Sequence, residues 1–193
     1  MADMIATRAA YGKALAELGE EHQDVVVLDA DLSKSTMTAE FAKKFPERFV
    51  QMGISEQDMM ATAAGIATMG KKVFASTFAI FAAGRAYDQV RNSIAYSKLD
   101  VKVCATHAGL SVGEDGASHQ MVEDLALMRA LPNMTVLCPS DAPSTKWAVE
   151  AAYGHHGPVY VRLGRAPVPQ YHGEETQFGI GRAVQLAEGK DVL

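Results

Sequence analysis

VVVLDAD (25–31) is a short β-branched run ending in acids, and it reads as a strand buried on both faces of a parallel sheet. Upstream, residues 3–21 place Ile5, Ala9, Leu15 and Leu18 near helical spacing, with Arg8, Lys13, Glu17 and Glu20 on the other faces. Downstream, a helix over 36–45 stops before Pro46, and FVQMG (49–53) reads as a strand. SEQDMMATAAGIATMG (55–70) follows as a helix, with Ser55 as N-cap and Asp58 completing a capping box. KVFAST (72–77) is a strand, and 79–98 a helix with apolar Phe81, Tyr87, Val90 and Ile94. VKVCATHAG (101–109) is a strand entering a glycine-rich loop, 121–131 a short helix and TVLCPSD (135–141) a strand. A helix over 142–153 carries Trp147, and PVYVRLG (158–164) closes the series. This alternation predicts an α/β fold: an open, mostly parallel, doubly wound sheet with helices on both faces.

Residues 1–165 are then one domain. RAPVPQYHGEETQFGIG, after Gly164, holds prolines and glycines and reads as an extended linker. AVQLAEGKDVL reads as a hairpin whose second strand begins at Val192, so 166–193 is linker plus the first edge of a missing C-terminal domain.

Composition narrows the functional classes. The chain has 193 residues, 48% of them apolar, with 18 basic residues against 23 acidic ones and a net charge of −5. Lys and Arg are scattered, which disfavours a nucleic-acid groove or an anionic membrane surface. Apolar stretches are too short to span a bilayer. No signal peptide is visible, so a cytoplasmic location is expected. Cys104 and Cys138 lie in apolar runs without a metal-ligand pattern and read as reduced, buried thiols. Asn133-Met134-Thr135 matches a glycosylation sequon that has no use without secretion, and His155-His156 reads as a solvated turn. No metal site is expected in this chain.

In parallel sheets ligands gather where loops leave the carboxyl ends of strands. Four such exits carry unusual polar or aromatic groups: Asp29/Asp31, Ser55/Glu56, Phe78/Phe81, and His107 through His119. No G-x-G-x-x-G, P-loop or G-x-S-x-G is present, so dinucleotide enzymes, nucleotidases and serine hydrolases lack their usual signature.

DADLSKS (29–35), GISEQDM (53–59), ASTFAIF (75–81), ATHAGLSVGEDGASHQ (105–120) and LGRAP (163–167) follow one another in order. In these pieces the stretch from Thr7 to Arg165 resembles the pyrimidine-binding domain of transketolase, a thiamine-diphosphate enzyme. Deoxyxylulose-phosphate synthase, which AYDQV (86–90) also resembles, and the β-subunits of 2-oxo-acid dehydrogenases share this domain.

The resemblance implies a role for each exit. Glu56 would hydrogen-bond N1′ of the aminopyrimidine and share a proton there, favouring the 4′-imino tautomer that removes the thiazolium C2 proton. Without the surrounding motifs, Glu56 is an acid in the first turn of a helix. Burial against Ile54, also counted as cofactor-binding, would favour the shared proton. Phe78 and Phe81 would hold the pyrimidine face, or pack as core residues at i, i+3. Family members carry a third aromatic where this chain has Gly84, and Tyr87 is a candidate substitute. His119 would face the 4′-amino group and the substrate oxygen, and Asp115 would read the donor's C2 hydroxyl. His107 and Arg165 would contact sugar phosphate as cation and fork-shaped donor, or be a buried strand-end histidine and an exposed linker arginine. Asp31 would reach the cofactor from a neighbouring subunit, or N-cap the next helix.

The family clamps diphosphate and Mg²⁺ with a Gly-Asp-Gly and later Asn on another domain, and GEDG (113–116) is not that motif. The implied protein is therefore half of a transketolase: a C-terminal subunit paired with an N-terminal diphosphate-binding one, or a fragment of a single chain. Met1 and the short lead-in favour the split form. It would move a two-carbon ketol unit between sugar phosphates of the pentose phosphate pathway. The alternatives are a 2-oxo-acid dehydrogenase β-subunit or synthase-like relative, and a non-catalytic assembly module. A homodimer is expected through helix 55–70, with Met60 and Ala64 as contacts, and neighbouring 79–98; burial of that helix within its own layer is the competing reading.

Overall fold

Val73 and Ala75 point to one face of the strand that carries them and Phe74 to the other, and each face is covered by its own apolar cluster. In the computed structural model, which describes residues 3–173 and 175–190, that strand is β4 (Lys72–Phe78). It lies inside a six-stranded, wholly parallel sheet with β2 (Val25–Asp29), β3 (Phe49–Gln51), β5 (Val101–Thr106), β6 (Thr135–Leu137) and β7 (Val159–Arg162). The order is β3-β2-β4-β5-β7-β6, and the parallel pairing is what the continuous apolar runs predict. The chain leaves β2 toward β3 and returns on its other side to β4, so strand order reverses around β2.

Helices α1 (Thr7–Glu21), α3 (Ala39–Lys44) and α7 (Ala142–Gly154) cover one face, burying Tyr11, Leu15, Phe41 and Val149 with Phe74. Where α1 passes the turn before α3, the approach is close enough to require glycine: a Cβ on Gly12 would lie 2.5 Å from Met37 Cβ and O. The other face carries α4 (Glu56–Thr68), the helical stretch 80–96 with α5 (Tyr87–Gln89) inside it, and α6 (Asp124–Arg129). No described helix is long and apolar enough to cross a membrane.

Long-range pairing shifts several boundaries. The first helix begins at Thr7, because Met4–Ala6 forms β1 and pairs antiparallel with β8 (Pro167–Pro169). The helix expected over 36–45 is two pieces, α2 (Ser33–Thr36) and α3, separated at Met37 with φ +68°. The cause is buried Asp29, whose carboxylate accepts from Leu32 N–H and from the Thr36 and Thr38 hydroxyls. The capping box at Ser55 is not formed, since the Ser55 hydroxyl donates to the Met52 carbonyl at 2.6 Å. The helix expected over 79–98 is largely π-type over Ile80–Arg85 and Val90–Tyr96, as in the bond from Ala86 N–H to Phe81 O.

Among the described residues beyond Gly164, the chain forms β8 and docks on the domain. Asp141 Oδ2 accepts from Tyr171 and His172 N–H, and Phe178 packs on Trp147 with ring centroids 5.4 Å apart. The first strand of the expected hairpin is absent from the described residues 183–190, and Val192 lies outside them. Cys104 is buried as expected, whereas Cys138 is exposed.

Candidate functional site at the carboxyl edge of the sheet

Parallel register sets the site. Asp29 lies level with Gln51 and Ser76, and Phe78 level with Thr106, so the β2, β3, β4 and β5 exits open on one edge. β7 joins them through Ala105 opposite Arg162 and the bond from Ala108 N–H to Leu163 O, which brings Arg165 alongside the loop after β5. That loop is closed at its base, where Ala108 bridges Met121 and Gly109 N–H donates to Met121 O.

Glu56 opens α4 and is 1% exposed. Its Oε2 accepts from Arg85 Nη1 at 2.8 Å, a partner that motif and periodicity do not mark. Ile54 does not bury it, being 77% exposed, because the Gly53 turn (φ +70°) points that side chain outward. Arg85 also lies over the Phe81 ring, 4.3 Å from its centroid. Spacing of i, i+4 makes the Phe81 contact legible; nothing local marks one with Glu56.

Phe78 and Phe81 are nearly parallel, with centroids 5.9 Å apart. His107 stacks on Phe78 at 3.8 Å, and His119 meets Phe81 edge-on at 5.5 Å. The His119 ring is held by Ser118 Oγ, 2.9 Å from Nδ1. Tyr87 does not join this group: its hydroxyl donates to Leu127 O.

His107 was expected as a cation, and the structure makes it a neutral ring. Burial first, then nearby Arg8, push its pKa down to about 4 against the opposite pull of Asp115. Its backbone is left-handed, φ +59°, and Nδ1 meets Thr106 Oγ1 at 2.9 Å. Arg8, which the periodicity assigned only to a helix face, reaches Ser35 O with Nη1 and Arg165 O with Nε.

Arg165 pairs with Glu114 and lies 3.9 Å from Asp115 Oδ2, so both acids of the GEDG turn face it. Glycine suits position 113 because its backbone is left-handed (φ +81°), where an L side chain would be strained. Asp31 is exposed at the β2 exit with φ +61°, and its N–H donates to Gln51 Oε1. It does not cap α2; Leu32 N–H at the start of that helix turns to Asp29 instead. The structure thus gathers Glu56, Phe78, Phe81, His107 and His119, with Asp115 and Arg165 beside them and Asp31 on the same edge. Ile54 belongs to the same loop but faces away.

A buried carboxylate beside stacked phenyl rings with a histidine edge fits a flat heterocycle carrying polar edge atoms. The defining pattern of the family described as transketolase, pyrimidine binding domain, matches residues 3–170. The chain belongs to the transketolase family.

Relatives of this transketolase-family chain agree. It is 54% identical over 187 residues to a Methanocaldococcus jannaschii protein named, by inference, as a transketolase C-terminal section, covering 96% of this chain and 59% of that one. Human transketolase is 41% identical over 190 residues, 98% of this chain and 30% of that protein. A solved split-gene transketolase, described as an inactive β4 tetramer, superposes with TM-score 0.88 at 60% identity, over 97% of this chain and 60% of that one. The chain therefore spans about 60% of the length of its split-form relatives and about a third of the human enzyme.

The small-residue face of α4 proved internal. Met60 and Ala64, expected as contacts between copies, are 0% and 6% exposed within the chain's own core.

Proposed function

We propose that this chain is the pyrimidine-binding half of a thiamine-diphosphate transketolase. Paired with an N-terminal section that holds diphosphate and Mg²⁺, it would transfer a two-carbon ketol unit from a ketose phosphate to an aldose phosphate. We infer a cytoplasmic, pentose-phosphate setting and a self-associating assembly. The relative described as an inactive β4 tetramer supports self-association and the need for a second section. The observation that carries the reading is the buried Glu56 carboxylate beside the Phe78–Phe81 pair.

Thiamine diphosphate, when bound, supplies the carbon nucleophile that accepts and releases the ketol unit. The residues of this chain divide the remaining work. Glu56 holds a proton at N1′, which its burial makes a water-free exchange. Phe81 and Phe78 hold the ring in plane, and His119 offers imidazole nitrogen to the substrate oxygen. Asp115 accepts from a hydroxyl of the donor beside its C2 carbonyl. Arg165 gives a forked donor to phosphate, while His107, being neutral, orients by hydrogen bonding instead of by charge. Asp31 is assigned to the cofactor of a neighbouring copy.

The test is the reconstituted pair assayed with xylulose 5-phosphate and with pyruvate. Ketol transfer that disappears in Glu56→Gln supports the reading, because an amide bonds N1′ without passing a proton. Turnover of the 2-oxo acid alone, or full activity of Glu56→Gln, rejects it.

A further inference from the structure

The Arg85 guanidinium is planar, hydrogen-bonds the buried carboxylate of Glu56 at 2.8 Å and lies over Phe81 at 4.3 Å. A flat group that bonds this carboxylate and covers this ring occupies the two contacts proposed for the aminopyrimidine. We propose that Arg85 is an internal substitute for the aminopyrimidine, seated on Glu56 and Phe81, and that it must swing away before the heterocycle binds. The inference rests on the pyrimidine-binding reading.

Hydrogen-bond chemistry argues for exchange over coexistence. Arg85 only donates, so it needs the carboxylate oxygen as acceptor. A ring nitrogen with a lone pair needs the same group to bring it a proton. The two partners therefore ask opposite things of Glu56. The Arg85 side chain is also free to leave. It is 47% exposed and closes the π-type turn Ile80–Arg85, whose buried face is made by Ala82 and Ala83 in the apolar core. While seated, it gives a buried carboxylate the partner it would otherwise lack.

The test is an NMR titration of the full chain with hydroxymethyl-aminopyrimidine, the free pyrimidine half of thiamine, following Phe81 ring and Arg85 Nε–H signals. In the parent, binding should shift the Arg85 signal toward that of a free guanidinium. Arg85→Gln should bind about fivefold tighter, the scale of releasing one half-exposed ion pair. Arg85→Lys, which keeps charge but not the flat stacking, should fall between. Sheet methyl spectra and melting curves establish that each variant is folded. Equal or weaker binding by Arg85→Gln, or an Arg85 signal unmoved by ligand, overturns the substitution while leaving the pyrimidine site intact. No Phe81 shift in parent or variant overturns the pyrimidine reading itself and this inference with it.

Discussion

His107 lies flat against Phe78, with ring centroids 3.8 Å apart and planes within 23° of parallel, at a position whose backbone is left-handed. β4–β5 register, which sets Phe78 opposite Thr106, puts the next residue over that ring. Burial there and the charge of Arg8 keep the imidazole neutral.

This makes stability depend on pH in a defined direction. The folded pKa, about 4, lies below the ordinary value of 6.5, so the unfolded chain takes up the proton first. The contribution is complete above pH 6.5, and it is lost as pH falls toward about 4. NMR titration should place the His107 midpoint near 4, and His107→Asn, which tolerates a positive φ, should flatten the melting-temperature slope in that window. A midpoint near 6.5 would refute the assignment.

Asp141 ties the tail to the domain. It caps α7 through Ser144 N–H and also accepts from Tyr171 and His172 N–H. Burial pushes its carboxyl up, but the Ser144 hydroxyl and these N–H groups outweigh burial and hold it below the ordinary carboxylate range. That stability is present above pH 3.8 and is lost as pH falls below it. Asp141→Ala should cost about 2 kcal/mol by urea denaturation. Proteolysis should then speed up between Pro169 and Phe178.

Lys102 is wholly buried at the edge opposite the site, with Nζ bonded to Asp100 Oδ1, His155 O and Gly157 O. Lys102→Met removes the charge that Asp100 and both carbonyls face, and it should cost about 3 kcal/mol in chemical denaturation. Aminopyrimidine binding by the folded fraction should not change. A loss of affinity at full folding would show that the two edges are coupled.

Gly65 sits mid-helix in α4, exposed, and a methyl group there would meet no atom within 4 Å. Gly65→Ala should therefore raise stability by about 0.5–1 kcal/mol, read from the denaturation midpoint. If sedimentation shows oligomers lost in this variant, the outer face of α4 packs against another copy. Met60→Lys, by contrast, should unfold the chain, since Met60 belongs to its own core.

The sequence by itself determined the α/β class, the number of parallel strands and the edge at which chemistry collects. Those follow from apolar runs such as VVVLD and KVFAST, whose β-branched or small residues suit burial between two helical layers, and from the polar residues where each run stops. Strand exits also marked the regions holding Glu56, Phe78, Phe81, His107 and His119, and the resemblance to the transketolase pyrimidine-binding domain singled those residues out. Tertiary structure alone decided which of them touch and what else joins them. Arg85 reaches Glu56 across 29 residues, and Arg8 reaches Arg165 across 157. The charge state of His107, the outward turn of Ile54 and the burial of Met60 likewise depend on neighbours from distant segments. Periodicity and propensity act within a few residues of chain, whereas these contacts arise only when strand register and helix packing bring remote segments to one edge.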